Sequence, residues 1–156
     1  MKRIAMAIAI VLLAAAGPAL GFSGGSSGPT GPKKTNDYAQ AKRHVDAKRY
    51  AQAIPLLQKV VKANPTHANA WNLLAYSNRK TGKLQLALGQ YIKALDIDPN
   101  HKDAHEYLGE LYLKLGDLGK AVFHLKRLDS ICTFGCEQYD ELKQEIAAYK
   151  KLKGLS

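Results

Sequence analysis

Residues 68–101 read ANAWNLLAYSNRKTGKLQLALGQYIKALDIDPNH, and the pattern in this stretch decides the fold. Trp71, Leu74, Ala75 and Asn78 lie three and four apart, which puts them on one face of a helix. Thr81-Gly82 ends that helix, since glycine suits a left-handed cap. Leu84, Ala87, Leu88, Tyr91, Ala94 and Leu95 resume the same spacing until Asp98-Pro99, where the residue before proline avoids the helical region. The stretch is two helices joined by a tight turn. Small Ala87 and Ala94 let the two approach closely.

Moving 34 residues in either direction finds the pattern again, in copies that start at Lys34 and Lys102. Ala53, Ala87 and Ala121 align, as do Leu57, Tyr91 and Leu125, Pro65 and Pro99, and Gly82 and Gly116. The third copy carries Leu108, Gly109, Tyr112, Leu115 and Gly116, then Ala121, Leu125 and Leu128. Breaks near Lys48, Asn64, Gly82, Pro99 and Gly116 predict six helices in pairs, with no convincing strand. A hairpin of this size cannot bury its apolar face alone, so a fixed period implies a solenoid whose core lies between repeats. The first copy is looser, with Asp37 and Gln40 where the second has Trp71 and Leu74, as befits a repeat with no upstream neighbour. Thr133 stands where the third copy would carry proline. Pro55 would cost about 3 kcal/mol inside a helix, which places it in a first turn and starts its helix near Ala51 or Gln52.

Beyond the repeats, Tyr139, Leu142, Ile146 and Tyr149 are again three and four apart, between Glu137, Asp140, Lys143 and Gln144. This predicts a capping helix over 136–153 whose acidic start and lysine-rich end suit the helix dipole.

Trp71, Leu74, Ala75, Gly82, Ala87, Tyr91, Ala94 and Pro99 resemble the tetratricopeptide-repeat (TPR) pattern of an aromatic, Leu-Gly, Tyr, then Ala, aromatic, Ala and Pro at set offsets. The resemblance covers 34–135 as three repeats, 34–67, 68–101 and 102–135, and with the leading segment below it suggests an exported bacterial-type TPR protein. It implies an all-α fold, a right-handed α-solenoid of three TPR hairpins closed by the capping helix. It also implies a protein-interaction module, an adaptor or scaffold, in place of an enzyme.

In that family the first helix of each pair lines a concave groove that holds peptides or partner segments. The matching inward positions here are Tyr38, Lys42 and Val45, then Asn72, Tyr76, Arg79 and Lys80, then Glu106, Glu110 and Leu113. Basic groups sit toward the first two repeats and acidic groups in the third, so an acidic ligand should favour the first end. Tyr76 with Asn72 leads the set. Some relatives grip a C-terminal carboxylate with lysines and asparagines. Here Asp103 and Glu106 stand in part of that region and would repel one.

Cys132 and Cys136 are the only cysteines, four apart in Cys-Thr-Phe-Gly-Cys at the junction with the cap. A disulfide would fasten the cap if a turn brings the alpha carbons within about 7 Å. Reduced thiols, or a redox or metal role with nearby His124, are the alternatives, although this is not the Cys-x-x-Cys spacing of thioredoxin-type sites. That leaves a redox or metal-handling accessory protein as the second functional reading. His101 and His105 are four apart, a spacing found in zinc sites, yet His105 takes the place of Trp71 and His101 that of His67, which favours packing. No metal site, cofactor or catalytic constellation is expected, because the carboxylates are dispersed and no serine or cysteine has a histidine partner.

At the other end, Lys2 and Arg3 precede an unbroken apolar run from Ile4 to Ala16, followed by small residues. This reads as a signal peptide over 1–21, too short for the roughly 20 apolar residues of a membrane span. Residues 22–33, rich in Gly, Ser and Pro, read as a flexible linker. The expected location is periplasmic or secreted, with no stable membrane span after cleavage. The net charge of +10 falls to +8 without Lys2 and Arg3. Its lysines are scattered, which argues against nucleic acid and leaves an acidic partner or anionic headgroups near Lys143, Lys150, Lys151 and Lys153. The expected partner is another protein or peptide, and exposed repeat ends also permit self-association.

Overall fold

The computed structural model describes residues 36–155, so the expected signal at 1–21 and linker at 22–33 lie outside the described residues. Among the described residues the chain forms seven helices and no strand: α1 Asp37–Asp46, α2 Tyr50–Ala63, α3 Ala68–Lys80, α4 Leu84–Ile97, α5 Lys102–Lys114, α6 Leu118–Ile131 and α7 Glu137–Lys153. Hairpins α1–α2, α3–α4 and α5–α6 each pack on the next, and α7 covers the last, which makes an all-α solenoid. The period holds to the residue. Helices α2, α4 and α6 begin at Tyr50, Leu84 and Leu118 and end at Ala63, Ile97 and Ile131, 34 residues apart each time.

The caps repeat with the helices. His67 and His101 cap α3 and α5, each Nδ1 accepting the amide N–H of the residue three further on at 3.3 Å. Helix α1 starts late, at Asp37, because Asn36 supplies the cap there: its Oδ1 accepts from the Ala39 amide at 3.0 Å. Gly82 and Gly116 close α3 and α5 at φ of 82° and 83°, while the matching position after α1 is Lys48 at φ 56°. A side chain in that left-handed region costs about 1–2 kcal/mol.

Pro55 corrects the expected start of α2. The helix begins at Tyr50, ahead of Ala51 and Gln52, which puts Pro55 in the second turn. The Ala51 carbonyl loses its helical donor there. Both residues are exposed, so water can serve that carbonyl and the helix persists.

Each core straddles a repeat boundary. One joins Ala41, Ala53, Leu57, Ala70 and Leu74 across α1, α2 and α3. The next joins Ala75, Ala87, Tyr91, Leu108 and Leu111 across α3, α4 and α5. The last brings Leu113, Ala121 and Leu128 together with Leu142 and Ile146 of α7. Burying the latter two contributes about 1.5–3 kcal/mol each to holding the cap. Helix α7 comes so close to α5 that a Cβ on Gly109 would stand 2.5 Å from Leu142 Cδ2. The equivalent positions are Ala41 and Ala75, which share their cores with Leu74 and Leu108, the counterparts of Leu142 two repeats and one repeat earlier. No helix of the described residues is long and apolar enough to cross a membrane.

Replacing Lys48 tests the strain after α1. Lys48→Gly is expected to raise unfolding free energy by about 0.5–1 kcal/mol in urea melts, because glycine adopts the left-handed region freely. Equal or lower stability would show that Lys48 is not strained.

Candidate functional site

The first helices of the three hairpins stand side by side, α1 against α3 and α3 against α5. Tyr76 of α3 sits at the centre of their shared face, its ring 5.8 Å from that of Tyr50 and 4.8 Å from that of Tyr107. The Arg79 guanidinium lies 5.3 Å from the Tyr76 ring and 5.4 Å from the Tyr107 ring, with Lys80 Nζ 5.2 Å from Tyr76. Cations over aromatic faces are favourable, more so when partly desolvated. Tyr50 and Tyr107 escape the sequence projection, one because it opens a second helix and the other because it falls one place off the inward stripe.

The structure divides the expected groove set. Lys42 is exposed and pairs with Asp46 at 2.9 Å, and Tyr38 is half-buried with its ring 4.7 Å from His67. Glu110, also half-buried, pairs with the guanidinium of Arg79. Asn72, Arg79 and Glu106 are buried, at 3%, 4% and 3% exposure, in place of standing on an open wall. Angular projection assigns a direction to each side chain, but it does not show which neighbouring helix closes over it. For Glu106 the covering element is α7.

Along the third repeat α7 occupies the start of this face. Gln138 Nε2 donates to Asp103 Oδ1 at 2.8 Å, and Glu141 shares a hydrogen bond with Glu106. Burial pushes the Glu106 carboxyl up to about 9, helped by that bond and by the charges of Glu141, Glu110 and Asp103. The acidic wall expected in the third repeat is therefore partly neutral and partly covered. The face stays open at the C-terminal ends of α3 and α5, where a cavity of about 590 Å³ lies between Arg79, Lys80, Glu110, Leu113 and Lys114 on one side and Glu145, Ala148, Tyr149 and Leu152 of α7 on the other.

The histidines have structural partners. His105 Nε2 bonds the Pro99 carbonyl at 3.0 Å, as Trp71 Nε1 bonds the Pro65 carbonyl at 2.9 Å one repeat earlier. That bond requires the proton on Nε2, so His105 Nδ1 accepts from His124 Nδ1 at 2.9 Å. Burial lowers both histidines, His124 to about 4, and keeps the pair neutral. Tyr112 stacks on His124 at 5.6 Å. Cys132 and Cys136 are joined in a disulfide with alpha carbons 5.7 Å apart, linking the C-cap of α6 to the N-cap of α7. Among the described residues no three or more His, Cys, Asp or Glu side chains gather as a metal site.

A stack of helical hairpins with an aromatic and basic shared face defines a repeat-built protein-interaction module. Two sequence models, each describing the tetratricopeptide repeat, match residues 38–102 and 90–123, together more than half of the 156-residue chain. The chain belongs to the tetratricopeptide-repeat family. Anaphase-promoting complex subunit 3 of Schizosaccharomyces pombe (strain 972 / ATCC 24843) is 30% identical over 124 residues, 78% of this chain. The chain spans only 11–17% of the length of the curated relatives it matches. Among solved structures, that of MamA is 25% identical with a TM-score of 0.67, covering 76% of this chain and 67% of that one. PcrH, crystallised in complex with the chaperone binding region of PopD, is 18% identical with a TM-score of 0.67, covering 75% of this chain and 90% of that one.

The buried carboxyl makes stability depend on pH in a defined direction. The folded state holds the Glu106 proton more tightly than the unfolded chain, so its contribution is present below the ordinary carboxylate range and is lost as pH rises toward 9. The two histidines act at the acid end, since their lowered values withdraw stability as pH falls below the ordinary imidazole range. Between pH 7 and 9, on this basis, the melting temperature should fall in the parent protein. It should fall much less in Glu106→Gln, which keeps the shape and cannot ionise. Parallel slopes in the two proteins would contradict this account of Glu106.

Proposed function

We propose that this protein is an exported TPR adaptor that holds a segment of another protein against the face of α1, α3 and α5, in the periplasm or after secretion. The observation that carries the reading is the row Tyr50, Tyr76 and Tyr107 with Arg79 and Lys80 beside it. Tyrosines give large contact area and hydrogen bonds at low entropic cost, and the cations beside them orient a partner by charge. Family membership supports the mode of recognition, and the PcrH likeness, one of fold, is consistent with a helical-repeat surface that receives another chain. The basic start and apolar run at residues 2–16 support export.

Arg79 is buried and ion-paired, so replacing it would disturb the fold as well as the surface. A photo-crosslinking side chain at Ala148, exposed on the wall of the cavity beside Arg79 and Lys80, avoids that difficulty. In the native compartment it is expected to capture a partner chain, and capture should be lost with Tyr76→Ala, whereas the same probe at Gln58, exposed on α2, should capture none. Equal capture at both positions would refute the face. Capture of the protein's own copies alone would favour a self-assembling scaffold. Recovery of this protein from the cytoplasmic fraction with residues 1–21 still attached would refute export.

A further inference from the structure

The open end of the shared face has a charge arrangement that indicates what it receives. Asp46, Lys80 and Lys114 occupy the same position in the three first helices, each the last residue of its helix and 34 residues from the next. Asp46 is taken up by Lys42, and Arg79 and Glu110 neutralise each other. Lys80 and Lys114 line the 590 Å³ cavity, exposed and without an ion pair among the described residues. On the opposite wall Tyr149 and Leu152 belong to the last two turns of α7, and Leu152 is 82% exposed although it overlooks Leu113 across the cavity. A leucine left that open beside a cavity of about 590 Å³, room enough for a large side chain and the segment that carries it, costs solvation that an apolar guest would recover.

We infer that this trough receives one large apolar side chain of an acidic partner segment, whose carboxylates pair with Lys80 and Lys114. The inference rests on the groove reading above and adds the chemistry of the partner. Helix α7 then does two things: it caps the solenoid through Leu142 and Ile146, and it supplies one wall of the trough through Tyr149 and Leu152. Glu145, on that wall, opposes an acidic guest on its own side and so directs the carboxylates to the lysine side.

The test uses the full chain and two short fluorescent peptides, each with a central phenylalanine, one flanked by glutamates and the other by lysines. Fluorescence anisotropy is expected to show binding of the glutamate peptide alone, weakening as salt is raised. Lys80→Glu and Lys114→Glu should each weaken it about fivefold, and Leu152→Ser about tenfold, with unchanged helical circular dichroism because all three residues are exposed. No binding of the glutamate peptide, tighter binding of the lysine peptide, or indifference to the three substitutions overturns the inference. So does sedimentation with phosphatidylglycerol vesicles that is lost with Leu152→Ser, which would assign the leucine to a lipid surface. Native capture that needs Tyr76 but none of Lys80, Lys114 and Leu152 would sink this inference and leave the adaptor reading standing. Capture that is indifferent to Tyr76 sinks the adaptor reading itself.

Discussion

Ala53, Ala87 and Ala121 have no exposed surface at all, and the close approach they allow between paired helices is the constraint on which the rest depends. A larger side chain at any of them would hold a hairpin open. With the pairs closed, each hairpin turns an apolar edge toward its successor, so no core belongs to one repeat and each is shared by two. Stability in such a stack is close to a sum of nearest-neighbour terms. The ends are therefore the weak places, and both carry signs of it. The first helix is short and closes over a strained Lys48, and the last repeat requires α7.

The cap reaches further into function than a cover would. To seat Leu142 against Gly109 it must lie close on α5, and that position encloses Glu106 and engages Asp103. The face that remains is smaller than three bare repeats would offer, less acidic, and shifted toward the C-terminal ends of α3 and α5. Its electrostatics follow from pairing as well as from composition, since Arg79 is offset by Glu110 and Lys42 by Asp46. The disulfide fixes the point from which α7 departs, and the chain-entropy model gives a bridge across so short a loop about 2 kcal/mol.

The period was fully legible because each of its marks has a local cause. Glycine at 82 and 116, proline at 65 and 99, and alanine at 53, 87 and 121 each satisfy a geometric demand set by immediate neighbours. Helix ends therefore fell where the spacing put them. The start of α2 did not, because one unpaired carbonyl on a wet surface is cheaper than an interior-proline rule assumes. The site was legible in outline only. Tyr76 stands where projection put it, but the burial of Asn72, Arg79 and Glu106 depends on tertiary neighbours, and for Glu106 on the close approach of α7, which Gly109 alone hints at. The capping role of His67 and His101 and the shared carbonyl bonds of Trp71 and His105 were missed for a different reason: they are local, three and six residues away in the chain, but histidine is not among the usual N-cap residues and an apolar stripe gives no sign of a ring N–H bonded to the preceding loop.

If hairpins lend one another their cover, damage in the middle must spread to both ends. Hydrogen exchange followed residue by residue in Ala87→Leu is the most direct measurement, since that substitution wedges α3 from α4 at a cost of about 1–3 kcal/mol without touching the outer hairpins. The account predicts that amides of α1 and α2 and of α5 and α6 lose protection together with those of α3 and α4. Loss confined to α3 and α4, with the outer helices exchanging as slowly as before, would contradict it.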